Sequence, residues 1–284
     1  MTSREPSDFP PPWADAWGDD AYGLWAEFAL GQQTQRLRWI EPGEFWMGAL
    51  EDEASDEKPR HRVRHTQGFW LADTACTQAL WLAVAGGKNP SRFTDDLSCP
   101  VERVSWVEVH FFLRQLAQQL GSEVEAVLPT EAQWEYACRA GTETAYAFGA
   151  GVTMDQANYD GSYPHGRTQT GRHRKRTVAV KALPANGWGL YQMHGNVWEW
   201  CADGLRDYAG TAGREALDDP IGPLGADEHA ERALRGGSWI GNARRVRSAF
   251  RDGARLGGRR HNTGFRFALR SSSPAAAGRP LDRQ

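Results

Sequence analysis

The sequence predicts an α+β protein, and three observations point there. Three stretches of the first half place a capping side chain before a helical apolar face: residues 77–85, 105–120 and 130–140. From Gly141 onward helical periodicity fades, and short apolar pieces sit between Gly, Asn and Pro. The chain has 13 Trp and 31 Gly against only 4 Lys, which suits a turn-rich fold pinned by aromatic anchors. Helices first and irregular strands later are the α+β order.

Taken in order, residues 1–20 are rich in Pro and Asp and are expected to be poorly ordered. Leu24, Trp25, Phe28 and Leu30 suggest a short helix over residues 21–35. Residues 36–47 read as two short strands around Pro42-Gly43. A charged loop at 51–60 precedes strand-like residues 62–72. Thr77 caps the first predicted helix. Ser105 caps the second, with Glu108 at the capping-box position and Gly121 as its stop. Thr130 caps the third, with Gln133 three residues on and Gly141 as its stop. No repeat of 20–50 residues is present, which excludes a solenoid. The organisation expected is an extension at 1–35, one domain at 36–270 and a low-complexity tail at 271–284.

The chain has 284 residues and a formal net charge of −3, which excludes a globally basic nucleic-acid binder. No apolar run is long enough to span a bilayer, and the first residues lack a basic start and an apolar stretch. A cytoplasmic protein is therefore expected, unless a partner or a phage particle displays it. Cys76, Cys99, Cys138 and Cys201 lie far apart, without metal-type spacing, and read as free thiols. His61 and His65 have i, i+4 spacing in a strand or loop, where it makes no helical metal face. His110 reads as a half-buried packing residue of the second helix. Charge is uneven: residues 1–60 hold 13 acidic and 5 basic groups, and residues 235–270 hold 10 Arg and one acid, Asp252. Such Arg density suits bidentate pairing with carboxylates of the same chain, or an anionic ligand.

Seven blocks resemble the formylglycine-generating-enzyme (sulfatase-modifying-factor) domain, in the family's order over about residues 37–269. They are Gly43-Glu44-Phe45-Trp46-Met47-Gly48, Pro100-Val101-Glu102-Arg103-Val104-Ser105-Trp106, and the LPTEAQWEYA run from Leu128 to Ala137. Asn186-Gly187-Trp188-Gly189-Leu190-Tyr191, Gly195-Asn196-Val197-Trp198-Glu199-Trp200, Arg235-Gly236-Gly237-Ser238-Trp239 and Gly264-Phe265-Arg266 continue it. The resemblance implies a C-type-lectin-like fold, two main helices packed on twisted antiparallel sheets. Oxidase members carry a cysteine pair three and eight residues after the Ser of the Gly-Gly-Ser block. Gly241 and Val246 stand there, so no catalytic residue is assigned and a non-catalytic chain is expected. The alternatives are a metal-dependent oxidoreductase of the family type, or a degenerate regulatory scaffold. No cofactor is expected to be required. The resemblance implies one structural calcium site built from Gln192, Gly195, Val197 and Glu199, with Gln192 weakening it for want of a charge. A second site, at Asn158 and Tyr159, is expected to be lost, because residues 171–176 are basic.

The segment from Leu234 to Leu269 resembles the variable region of diversity-generating-retroelement proteins. The fixed frame matches at Arg235 to Trp239, Ala243-Arg244, Val246 to Ala249, Arg251 and Gly264 to Arg266. Between these lie Ile240, Gly241, Asn242, Arg245, Phe250, Asp252, Gly253, Ala254, Arg255, Arg260, His261 and Asn262. Adenine mutagenesis of AAC or AAT codons never yields Lys, Glu, Gln, Met or Trp, and residues 240–262 contain none of the five. The twelve intervening residues are expected to face solvent together on a rigid frame. Their ligand is expected to be macromolecular, a protein or a glycan; membranes and nucleic acid are not expected partners.

Overall fold

The computed structural model describes residues 5–49, 55–225 and 230–271. The chain begins with β1 (Ala16–Asp20), β2 (Gly23–Leu30), β3 (Gln33–Ile40) and β4 (Gly43–Met47). It continues through β5 (His61–His65), β6 (Phe69–Ala72), α1 (Gln78–Ala85), α2 (Trp106–Leu120), β7 (Val124–Val127) and α3 (Glu131–Arg139). The second half holds only short strands: β8 (Trp198–Trp200), β9 (Leu217–Asp218), β10 (Glu231–Arg235), β11 (Arg251–Arg255), β12 (Thr263–Gly264) and β13 (Ala268–Ser271).

The helices form where capping chemistry places them. The Ser105 hydroxyl accepts from Glu108 N, and the Glu108 carboxylate accepts from Ser105 N, closing a capping box. Thr130 and Gln133 close a second box on α3, whose end is marked by Ala140 in the left-handed region and then by Gly141. Thr77 caps α1.

Residues 21–35 are not a helix; they are the β2–β3 hairpin, turning at Gly31 with φ 61°. Leu24, Ala26, Phe28 and Leu30 alternate along β2 and turn one face to the core, while Trp25, Glu27 and Ala29 occupy the other. The start of the chain is also built in. Trp13 is buried edge-on against Phe28 and Trp70, and β1 pairs with β2 along its whole length. The expected boundary near residue 35 falls inside β3. Residues 1–4 and the tail after Ser271 lie outside the described residues.

A six-stranded sheet runs β1-β2-β3-β6-β13-β7. Helices α1 and α2 pack together beside it, with Trp81 stacked on Phe112 at 5.2 Å and Phe265 and Phe267 filling the space toward Phe28. A four-stranded sheet, β11-β10-β8-β12, carries the carboxyl-terminal segment, and β4-β5-β9 form a third. Strand β8 lies between these layers. Trp198 and Trp200 enter the main core, and Glu199 points to the opposite side. Strands His61–His65 and the half-buried His110 conform to their sequence readings. No helix among the described residues is long and apolar enough to cross a membrane.

Removing the Ser105 hydroxyl leaves an amide of the first α2 turn without its acceptor. Ser105→Ala should cost about 1 kcal/mol in urea unfolding, and Ser105→Asp should restore most of it.

Candidate functional site

The carboxyl-terminal segment is held by four buried arginines, each bonded to a carboxylate elsewhere in the chain. Arg235 is fully buried, meets Glu135, and donates to the carbonyls of Ser248, Ala249 and Phe250. Arg247 grips Glu57 through both terminal nitrogens, at 2.8 and 2.7 Å. Arg251 holds Glu131 at 2.7 Å twice and also reaches the Asp56 and Arg206 carbonyls. Arg266 holds Glu199 at 2.6 and 2.8 Å and reaches the Ala72 and Tyr191 carbonyls. The planar fork of Arg serves a carboxylate and several carbonyls at once, which a Lys ammonium cannot do with the same geometry. Burial opposes the charge on Arg235, but Glu135 and Glu131 outweigh it and raise its pKa above the usual range.

A glycine lets this frame close. Gly237 has φ 72°, and a Cβ there would meet the Arg245 carbonyl and Val246 Cγ1 at 2.6 Å each.

The twelve intervening residues divide. Ile240 (40% exposed), Arg245, Arg255 and Arg260 are on the surface. Asn242, Asp252, Gly253 and His261 are half-buried. Four depart from the expectation of free side chains. Gly241 is buried, and its carbonyl accepts from Asp160 N. Ala254 joins the main core. Asn262 is buried and donates to Ser238 Oγ at 2.9 Å. Phe250 is half-buried, its ring 6.0 Å from Trp198, and packs on the core. Asn242 also has a structural task, capping the 3-10 turn Ala243–Val246.

Several of the remaining side chains are neighbours, whereas Arg255 lies on the opposite face of β11 from Asp252. The His261 ring lies 5.6 Å from Trp239, directly before Ile240. Arg260 faces Asp252 at 3.7 Å, joining the loop after β11 to β11 itself. Arg245 stands on the turn that follows Gly241, and Gly241 lies within contact distance of its Cβ. Residues outside the segment complete the rim. Phe93 packs edge-on to Trp239 at 5.6 Å, and His173 lies 6.0 Å away on it. Arg103 N donates to the Arg260 carbonyl. Nothing in the periodicity of residues 86–104 marked Arg92, Phe93 or Arg103 as part of a site; only their neighbours in space reveal it.

The chemistry available elsewhere is quiet. All four cysteines are buried and free. Burial pushes the Cys99 thiol up to about 11 and Cys138 to about 12, and raises Cys76 and Cys201 strongly. Cys138 Sγ lies 3.7 Å from His194 Nε2, but that nitrogen already accepts from Ala147 N, while Nδ1 donates to the Val246 carbonyl. Burial lowers His194 to about 4, so the ring is neutral and serves as a bridge between loops. Gly241 and Val246 carry no sulfur, and Val246 sits in an apolar cluster with Ala243 and Tyr146. That donor set does not fit a thiolate-bound metal.

The implied calcium set does not fit either. Glu199, its only carboxylate, is neutralised by Arg266 and also accepts from Trp134 Nε1 at 2.6 Å. Gln192 donates to the Ala179 carbonyl, and its own oxygen is buried without a partner. Val197 and Gly195 would add backbone oxygens alone, and Gly195 N is bonded to the Gly236 carbonyl. Among the described residues no three His, Cys, Asp or Glu side chains gather as a metal site.

The family model described as a sulfatase-modifying factor enzyme 1-like domain matches residues 26–271. The chain belongs to this family. It has the family's C-type-lectin-like fold. It is 33% identical to a formylglycine-generating enzyme of Streptomyces coelicolor over 202 residues, 66% of this chain and 60% of that enzyme. It therefore spans less than two thirds of that relative's length. It is 30% identical to the bovine inactive C-alpha-formylglycine-generating enzyme 2 over 245 residues, 83% of this chain and 68% of that protein. Both active and inactive members thus stand among its relatives. Among solved structures, Treponema denticola variable protein 1 superposes with a TM-score of 0.73 at 25% identity, covering 86% of this chain and 98% of that one. PvdO from Pseudomonas aeruginosa superposes at 0.71 with 24% identity, covering 86% and 97%, a likeness of fold.

Two outcomes are expected. Arg266→Met leaves Glu199 buried without its partner and should cost about 3–5 kcal/mol in urea unfolding, with Glu199→Gln added to it recovering part of the loss. His194 binds its proton more weakly folded than unfolded, so stability present at pH 7 is lost as pH falls from about 6.5 toward 4. The loss from this group is on the order of 1 kcal/mol per pH unit. Urea titrations at pH 7 and 5 should show a steeper fall for the native protein than for His194→Gln.

Proposed function

We propose that this chain is a non-catalytic binding protein that presents a diversified surface on the family scaffold. The observation that carries the reading is the separation of tasks within residues 235–269. Arg235, Arg247, Arg251 and Arg266 hold the frame from inside, and Ile240, Arg245, Arg255, Arg260 and His261 face outward on it. Exchange at the outward positions leaves every buried ion pair intact. A rigid frame also lowers the ordering cost of binding. The likeness to a variable protein of Treponema denticola supports the same reading, as does the absence of Lys, Glu, Gln, Met and Trp between residues 240 and 262. The structure narrows the diversified set: Gly241, Ala254 and Asn262 tolerate little, because each is packed or bonded inside. The ligand on this reading is macromolecular and no cofactor takes part.

The likeness to active formylglycine-generating enzymes favours a second reading, a metal-dependent oxidase. Gly241 and Val246 supply no sulfur ligand, and the protonated thiols elsewhere offer no nucleophile.

The coding DNA tests the first reading. A near-repeat of codons 235–269, differing at adenines and lying beside a reverse-transcriptase gene, is the expected result; a locus without one overturns diversification. Stoichiometric copper binding with oxygen uptake on a cysteine-containing peptide would instead establish the oxidase.

A further inference from the structure

The outward surface has a fixed border that the diversified segment does not encode. Arg92 and Arg103 are exposed and form no ion pair among the described residues. Arg92 lies over the Phe93 ring at 5.4 Å, and Arg176 lies over the same ring at 5.3 Å, tied to Asp95. Arg103 has φ 63°, a conformation that Gly or Asn adopts more easily, and its N–H is bonded to the Arg260 carbonyl. This bond fixes Arg103 beside Arg260 and His261. Burial, then the positive charge of Arg92 and Arg103, hold the His261 imidazole below its usual pKa, so both guanidinium groups are within electrostatic reach of that ring. Below them, Glu102 is fully buried and gives one carboxylate oxygen to the Arg92 and Phe93 amides. That carboxylate feels the charge of both guanidinium groups but forms no ion pair with either, so the two exposed cations keep their outer sides open.

We propose that Arg92 and Arg103 are fixed specificity residues that bias the diversified surface toward acidic polypeptide segments. This rests on the binding role proposed above and deepens it by naming the ligand class. The cations meet aspartate or glutamate side chains, while Ile240 and the Phe93 edge accept an apolar neighbour. Charge distribution decides against a uniform polyanion. Asp95 and Asp252 within the same border are already paired, with Arg176 and Arg260, which leaves discrete cations at Arg92 and Arg103 in place of a continuous basic track. Two isolated cations suit spaced acidic side chains better than a backbone that carries negative charge at every step, as in duplex DNA or a sulfated polysaccharide. A polypeptide can put its acids opposite Arg92 and Arg103, and neutral residues opposite the two ion pairs.

The test uses the full chain and three fluorescent probes: a peptide of alternating Glu-Leu and Glu-Gly pairs, heparin, and a 20-base-pair duplex. The acidic peptide should bind, with affinity falling as salt rises from 50 to 300 mM. Arg92→Glu/Arg103→Glu should weaken it by about tenfold or more, and Arg92→Lys/Arg103→Lys should retain most of it. Both positions are exposed, so the Lys pair should melt like the native protein; because the Glu pair lies above buried Glu102, Arg92→Gln/Arg103→Gln replaces it if it fails to fold. No peptide binding, binding indifferent to the double variant, or tighter binding of heparin or duplex overturns the ligand class. Diversification is judged separately at the DNA, so a locus without a repeat and a peptide that binds would sink one proposal and keep the other.

Discussion

The structure depends on charge that is buried and matched. Four guanidinium groups of one 35-residue stretch are taken out of water, and each finds a carboxylate supplied by a distant part of the chain. Glu57 precedes Arg247 by 190 positions, and Glu131 precedes Arg251 by 120. A buried ion pair is a poor source of net stability, because desolvation offsets most of the attraction. It is a strong source of uniqueness. A misplaced segment would strand its four guanidinium groups and leave Glu57, Glu131 and Glu199 without these partners, Glu135 keeping Arg139, so only one docking of the irregular carboxyl-terminal half is tolerable. This explains how a region with short strands and few apolar periods adopts a single arrangement.

The same pairs explain why the frame and the outward side chains can be separated at all. The pairs, the carbonyls they collect and Trp239 determine the path of the backbone. None of those bonds involves the side chains of Ile240, Arg245, Arg255 or His261. Strand β10, central in its sheet, contributes Arg235 and is bracketed by β8 and β11. On the proposed reading, exchange falls on the side chains of the outer strand and the loops that lie outside the core, not on Ala254 or Phe250.

Much of the fold was legible because capping is local. Ser105 with Glu108, and Thr130 with Gln133, satisfy amides within one turn, so the sequence alone marks those helices. Residues 21–35 were misread because Leu24 and Phe28 satisfy a period of four as well as one of two. Pairing of β2 with β1 and β3 and burial of Ala26 settle the matter, and neither follows from the apolar period. The Arg–Glu partners were partly legible: Arg density suggested internal pairing, but which carboxylate answers which Arg depends on contacts 67 to 190 residues apart. The outward surface was half legible for a related reason. Residues 240–262 follow no period, so sequence could not separate Asn262 and Ala254, which face inward, from His261 and Arg255, which do not. Arg92 and Arg103 were invisible as site residues, being placed by a loop with no regular structure.

A surface that changes must still attract. If every recognition element varied, each new version would begin without an encounter bias, and most would meet their targets slowly. Long-range charge acts before contact and is insensitive to the details of packing, whereas side-chain fit acts only after contact. On the proposed reading, placing cations that form no ion pair among the described residues in the fixed loop, and shape in the exchangeable segment, assigns the first task to residues that stay and the second to residues that change. Arg103 illustrates the coupling. Its amide holds the Arg260 carbonyl, so the fixed cation and the loop carrying His261 are positioned by one hydrogen bond, whatever side chain stands at 260 or 261.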